Sequence, residues 1–130
     1  MIDHITLPVS NFQKSVGFYT AALAPLGYVP GFMVPKKVQA FHVNGKPEFW
    51  IAQSKSKKFA PTHLAFAANE VAIQQFYDAA IAAGGKDNGE PGPREGYHKG
   101  YFAAYVLDLD GHNIEVVTHV HEPLVPGESP

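Results

Sequence analysis

The sequence predicts an α+β fold built from two copies of a strand–helix–three-strand (βαβββ) module, and three observations carry that prediction. First, a short strand with a histidine near its start opens each half, DHITLPV over Asp3–Val9 and THLAFAA over Thr62–Ala68. Second, placing His4 on His63 is an offset of 63 − 4 = 59. One deletion later, at 76 − 18 = 58, Phe18-Tyr19 falls on Phe76-Tyr77, Leu23 on Ile81 and Gly27 on Gly85. Third, each half closes on a hairpin-type turn, Asn44-Gly45 and Asp110-Gly111. A unit of about sixty residues used twice is not a solenoid.

Taken in order, Ile5, Leu7 and Val9 alternate with His4 and Thr6, the pattern of a half-buried strand. Ser10 or Asn11 supplies the N-cap of a helix whose apolar stripe is Phe12, Val16, Tyr19 and Leu23, stopped by Pro25 and Gly27. Strands with turns at Val34-Pro35-Lys36 and Asn44-Gly45-Lys46 carry the chain to Gln53, the second turn joining Val38–Val43 to Phe49–Gln53. Residues 54–61 (SKSKKFAP) lose apolar periodicity and read as a linker with solvated lysines. Beyond the second strand, Asn69 caps a helix that runs to about Ala83 and stops at Gly84-Gly85. Lys86 to His98, rich in Gly and Pro, reads as a long functional loop. Two strands follow, Tyr101–Leu107 and Asn113–Thr118, around Asp108-Leu109-Asp110-Gly111, and His121 to Pro130 reads as an irregular tail. The whole is one domain, with module one over about 1–53 and module two over about 62–120.

With 130 residues, 45% hydrophobic and 17% charged, the chain can bury a core without staples. A formal charge of -2 offers no basic field for nucleic acid and no polybasic membrane signal. There is no cysteine, which excludes disulfides and thiolate metal sites. The apolar runs are too short to span a bilayer and no signal peptide is evident, so the cytoplasm is the expected location.

One carboxylate, Glu115, stands mid-strand between Ile114 and Val116 and faces the other way from both. A carboxylate in apolar company needs a cation or hydrogen-bond donors. His4 and His63 share that non-helix phase, so two imidazoles and a carboxylate are candidates for Zn, Fe(II), Mn or Ni, with coordination positions left open. Around them, Arg94, Tyr97, His98 and Tyr101 gather at the mouth of the last hairpin. His98 is a candidate general acid or base, Arg94 an anion anchor, and Phe49 and Trp50 candidate walls of an apolar pocket. His42 has an uncertain phase, and His112, His119 and His121 read as structural or solvated.

Over nearly the whole chain, from MIDHITLPVSNFQKSVGFYTAALAPLGY through THLAFAANEVAIQQFYDAAIAAGG to GYFAAYVLDLDGHNIEVV, the sequence resembles the vicinal oxygen chelate superfamily. That superfamily includes glyoxalase I, extradiol dioxygenases, and bleomycin and fosfomycin resistance proteins. The resemblance implies paired βαβββ modules, a curved mixed sheet around a cleft, and a divalent metal chelated by vicinal oxygens of the substrate. Residue by residue, it carries metal-ligand roles onto His4, His63 and Glu115. The remaining ligand position of glyoxalase I has no counterpart: the Asn-Gly turn alignment sets Phe49 opposite Glu115 (49 − 45 = 115 − 111 = 4), with Glu48 out of phase unless a bulge shifts it. Three protein ligands are therefore expected.

The implied activity is a metal-dependent lyase, isomerase or dioxygenase acting on a small oxygen-chelating molecule, with Glu115 and His98 as catalytic candidates. Such a metal is a Lewis acid that polarises substrate or acidifies bound water. The alternatives are a metal-free protein that sequesters a small molecule or antibiotic between Trp50 and the tyrosines, and a scaffold with a vestigial site. The resemblance also implies a homodimer, in some members with metal ligands from two subunits.

Overall fold

In the computed structural model, which describes residues 1–123, β1 (Ile5–Val9) buries Leu7 and Val9 and turns Thr6 outward. Asn11 then caps α1 (Phe12–Leu23), its side chain accepting from Lys14 N at 3.1 Å. The buried face of α1 is Ser15, Phe18, Tyr19, Ala22 and Leu23, with Phe12 and Val16 half-buried at its margin. The face is rotated from the predicted stripe because α1 packs against α2 as well as against its own sheet. A 3₁₀ turn over Ala24–Leu26 ends at Gly27, and β2 (Val29–Val34), β3 (Val38–Val43) and β4 (Lys46–Gln53) follow. Asn44 and Gly45 both have positive φ, 51° and 77°, the two-residue turn that Asn-Gly favours because its twist matches that of the strands.

The second half repeats the plan with β5 (His63–Ala67), α2 (Glu70–Ala82), β6 (Lys86–Pro93), β7 (Phe102–Leu107) and β8 (Asn113–Thr118). Asn69 caps α2 as predicted, accepting from Ala72 N at 2.9 Å. The structure corrects the reading of Lys86–His98 as loop: its first eight residues, 86–93, are β6, an edge strand with two register shifts against β7. An edge tolerates Pro91 and Pro93, since a strand lacking N–H donors on its outer side breaks no ladder. Gly89 is required there, because a Cβ would come within 2.7 Å of the Tyr105 ring.

The sheets run β1-β4-β3-β2 and β5-β8-β7-β6, each with one parallel pair (β1 with β4, β5 with β8). This is the predicted α+β arrangement of paired βαβββ modules. Their inner faces and the two helices share one core, in which Phe49 meets Phe66 edge-on at 5.5 Å across the module boundary. The β7–β8 turn locks the halves together. Asp108, 5% exposed, accepts from the Tyr19 hydroxyl and from the backbone N–H of Asp110 and His112. Buried His112 accepts from Thr62 N through Nδ1 and donates to Pro8 O through Nε2, so it is structural. His42 also serves structure, its Nε2 accepting from Phe32 N. His121 is not solvated: it packs on Phe102 and pairs with Glu70. The remainder of the predicted tail, residues 124–130, lies outside the described residues.

Burial first, and then the Asp108 carboxylate, hold the Tyr19 phenol well above the ordinary tyrosine range. Above about pH 10 the unfolded chain sheds this proton while the folded chain keeps it. The unfolded state then binds fewer protons, so stability falls as pH rises, by about 1.4 kcal/mol per pH unit from this group alone. Tyr19→Phe should therefore show a shallower loss of stability in urea titrations between about pH 9 and about pH 11. Parallel losses in the two proteins would refute the assignment.

A candidate metal centre on the open sheet faces

The outer face of the second sheet brings together a compact polar group. His63 begins β5 and Glu115 lies on β8, one strand over and two residues further along (Ala65 is the register partner of Glu115). Diagonal neighbours on one face are within reach, and His63 Nε2 stands 2.8 Å from Glu115 Oε1. Glu115 is only 2% exposed. Its other oxygen, Oε2, accepts from the Tyr101 hydroxyl. Tyr105 opposes Glu115 across the β7–β8 pair, with its ring 6.4 Å from that of His63. Burial above all raises the Tyr101 and Tyr105 phenols above their ordinary range, helped next by the hydrogen bond to Glu115 for Tyr101 and by the hydrogen bond with Tyr101 for Tyr105. Both are O–H donors at neutral pH.

Arg94 lies over the Tyr105 ring, 5.4 Å from its centroid, and its guanidinium donates to Glu90 O at 2.7 Å and Pro93 O at 3.2 Å. Tyr97 is exposed and its ring lies 4.8 Å from that of Tyr101. His98 is engaged on both ring nitrogens. Nδ1 donates to Lys99 O at 2.8 Å and Nε2 faces His119 Nδ1 at 2.8 Å, with the two rings stacked. His119 is therefore part of this cluster while remaining exposed.

His4 is not part of it. It sits just before β1 on the other sheet, Nδ1 to Asp3 Oδ1 at 2.7 Å and its ring 6.2 Å from Trp50. Among the described residues no three His, Asp or Glu side chains gather closely enough to hold a metal ion. A groove of about 380 Å³ between β1 and β5 is lined by His4, Tyr28, Glu48, Leu64 and Ala65 and stops short of His63 and Glu115.

The strand register corrects the alignment of the two modules. Ile5 pairs with Phe49 and Thr6 with Trp50, as Leu64 pairs with Ile114 and Ala65 with Glu115. The first partners differ by 64 − 5 = 65 − 6 = 59 and the second by 114 − 49 = 115 − 50 = 65. Trp50, not Phe49, therefore occupies the place of Glu115. The cause is a bulge: Phe41 pairs with Phe49 but His42 with Pro47, which leaves Glu48 as an extra residue. Glu48 turns to the Tyr28 hydroxyl at 2.9 Å. Phe49 is 1% exposed within the core, packed on Tyr19 and Phe66, and it reaches the groove between β1 and β5 only as part of its floor. Trp50 is half-buried on the outer face beside His4 and Phe32, its Nε1 donating to Pro47 O at 2.9 Å.

Tyr105 escaped the sequence reading. Pairing across the β7–β8 turn gives constant sums (107 + 113 = 105 + 115 = 220), and that count would have set it opposite Glu115. The donor chemistry of the second sheet suits a divalent cation, since a buried carboxylate oxygen and an imidazole nitrogen converge within one hydrogen bond.

Comparison with known proteins agrees with this architecture. The family model of the Glyoxalase/Bleomycin resistance protein/Dioxygenase superfamily matches residues 1–116. The chain is 30% identical over 124 residues to a metallothiol transferase, FosB, of Shouchella clausii, covering 90% of this chain and 79% of the relative. It is likewise 30% identical over 128 residues to FosB of Staphylococcus haemolyticus, covering 90% and 82%. The crystal structure of a glyoxalase/bleomycin resistance protein from Albidiferax ferrireducens superposes with a TM-score of 0.77 at 29% identity, over 90% of this chain and 98% of that one. In fold alone, the chain matches a mutant of the fosfomycin resistance protein FosX from Listeria monocytogenes, solved with Mn(II) and dihydroxypropylphosphonic acid (TM-score 0.67, 21% identity, 89% and 87% covered). The chain belongs to the glyoxalase/bleomycin resistance protein/dioxygenase superfamily.

Proposed function

We propose that this protein is a metal-dependent enzyme that adds a thiol to a small electrophile bearing an anionic, oxygen-rich group, and that it works as a homodimer with two shared sites. The observation that carries the reading is the buried Glu115 carboxylate facing His63 Nε2 on an otherwise open sheet. The 30% identity to metallothiol transferases over 90% of the chain favours the transferase branch over isomerase or dioxygenase chemistry.

His63 and Glu115 of one copy, with His4 of a second, would hold the cation. His4 and Trp50 occupy on the first sheet the places of His63 and Glu115 on the second. Facing one sheet with the other sheet of a second copy completes the donor set. The first sheet has reason to be covered: its edge strand β2 leaves Val29, Phe32, Met33 and Val34 exposed, and the Phe32 ring lies 5.8 Å from that of Trp50. With an indole at the fourth position, three protein ligands leave coordination sites for substrate oxygens.

A bound cation would supply Lewis-acid chemistry at a substrate oxygen. The thiol sulfur bonds to the carbon beside that oxygen as the C–O bond breaks, and the thiol proton ends on the released oxygen. The chain's own groups do the rest. Arg94, standing above Tyr105, anchors an anionic substrate group. The Trp50 and Phe32 rings exclude water from the opposite wall. His98, with both nitrogens engaged at the rim, serves to hold the loop rather than to move protons.

The test is calorimetric titration of untagged protein with Mn(II), Ni(II) and Zn(II), followed by thiol consumption with fosfomycin as the probe electrophile. The expected result is one equivalent per chain in the wild type. Glu115→Gln should weaken it by more than the roughly 10–100-fold that loss of an outer-shell partner costs. No uptake of any of the three metals by the wild type would overturn the metalloenzyme and leave small-molecule sequestration as the reading.

A further inference from the structure

We infer that Tyr101 is a positioning residue that fixes which oxygen of Glu115 is free to bind a cation, rather than a wall of the substrate site. The inference rests on the metal reading above. The carboxylate has two oxygens with different surroundings. Oε1 faces His63 Nε2 at 2.8 Å, and Oε2 accepts the Tyr101 hydroxyl. A donor held on Oε2 removes that oxygen from competition and stops the carboxylate from rotating. Oε1 is then the single oxygen presented beside the imidazole.

The hydroxyl can do this only if its ring is held, and three neighbouring rings brace it although Tyr101 is only half-buried. Tyr97 lies 4.8 Å from the Tyr101 ring, while His98 and His119 meet it edge-on at 5.4 and 5.1 Å. The two histidines are themselves locked by stacking and by the 2.8 Å contact between Nε2 and Nδ1. The backbone is tied as firmly. Tyr101 N donates to His98 O at 3.2 Å, Tyr101 O accepts from Arg94 N at 2.8 Å, and Gly100 O accepts from His121 N at 2.9 Å. Gly100 must lack a side chain for this docking, since its φ is +97° and a Cβ would lie 2.6 Å from His119 O. Such effort to root one hydroxyl on a carboxylate is the pattern of an outer-shell residue that orients a ligand. A residue that merely contacts substrate needs none of it.

The test uses Tyr101→Phe, which keeps the ring and removes only the hydroxyl. Calorimetry with Mn(II) reads affinity, the visible absorption of the Co(II)-loaded protein reads coordination, and thermal unfolding of the metal-free protein separates folding from binding. We expect about 10–100-fold weaker Mn(II) binding, and a Co(II) ligand-field spectrum changed in band position and intensity as both Glu115 oxygens become available. Wild-type affinity and spectrum in the variant would overturn the inference while leaving the metal reading intact. Weaker binding with an unchanged spectrum and a lowered melting temperature would also overturn it, because that is what a structural role predicts. A wild type that binds neither Mn(II) nor Co(II) overturns both readings together.

Discussion

A mixed dimer of His4→Ala and His63→Ala subunits is expected to bind one metal ion, although neither variant binds any as a homodimer. Each substitution alone removes one nitrogen donor from every site. In the mixed dimer the losses are distributed unequally. One site inherits both substitutions, and the other receives His4 from the His63→Ala subunit and His63 with Glu115 from the His4→Ala subunit. This outcome follows from the placement of the donors: His63 and Glu115 touch on one sheet while His4 stands beside Trp50 on the other. The pair can be co-expressed with two tags that do not bind metal and isolated by successive affinity steps. Metal per dimer is then read by elemental analysis. If the mixed dimer binds none while the wild type binds two, the three ligands belong to one chain and the shared-site arrangement is wrong.

The second large effect separates two adjacent aromatic residues. Phe49→Ala should cost about 3–5 kcal/mol, the usual range for emptying a phenylalanine site in a core. Phe49 is 1% exposed and meets Tyr19, Phe41 and Phe66, so its loss opens a cavity where the two modules join. For a domain of this size that is a fall in melting temperature of roughly 10 °C or more. Trp50→Ala, one residue on, faces out beside His4 and Phe32 and should cost far less, about 1 kcal/mol, while weakening whatever binds between the sheets. Thermal unfolding of the two variants checks this contrast. Equal destabilisation would mean that Trp50 is also core, and the outer face would lose its aromatic wall.

These residues show where sequence reasoning succeeds. Alternation in β1, β5 and β8 separates Leu7, Phe66 and Ile114 from His63 and Glu115 because a strand has a period of two and the core lies on one side. Asn44-Gly45 predicts its turn because few residue pairs tolerate two positive φ angles. The Asn69 cap is legible because an orphan helix N–H needs an oxygen at a fixed distance along the chain. Where a neighbouring element decides, the reading fails. Residues 86–93 look like loop because Gly and Pro lower strand propensity, yet β7 supplies partners that make an edge strand of them. His119 is exposed as expected, but its stacking on His98 is invisible in the sequence because the partner is 21 residues away.

The sequence by itself determined the repeat, the order of the elements, and the phases of His4, His63 and Glu115, since these follow from local periodicity and turn chemistry. Only the tertiary structure decided the register, and with it the site. One bulge at Glu48 moves every later side chain of β4 to the opposite face, replacing Phe49 by Trp50 on the open side. A bulge lies in the pairing of two strands and not in the composition of either. The tertiary structure likewise decided that His4 and His63 stand on separate sheets. The packing of α1 against α2 sets how the modules sit, and that packing is a property of the shared core rather than of either repeat alone.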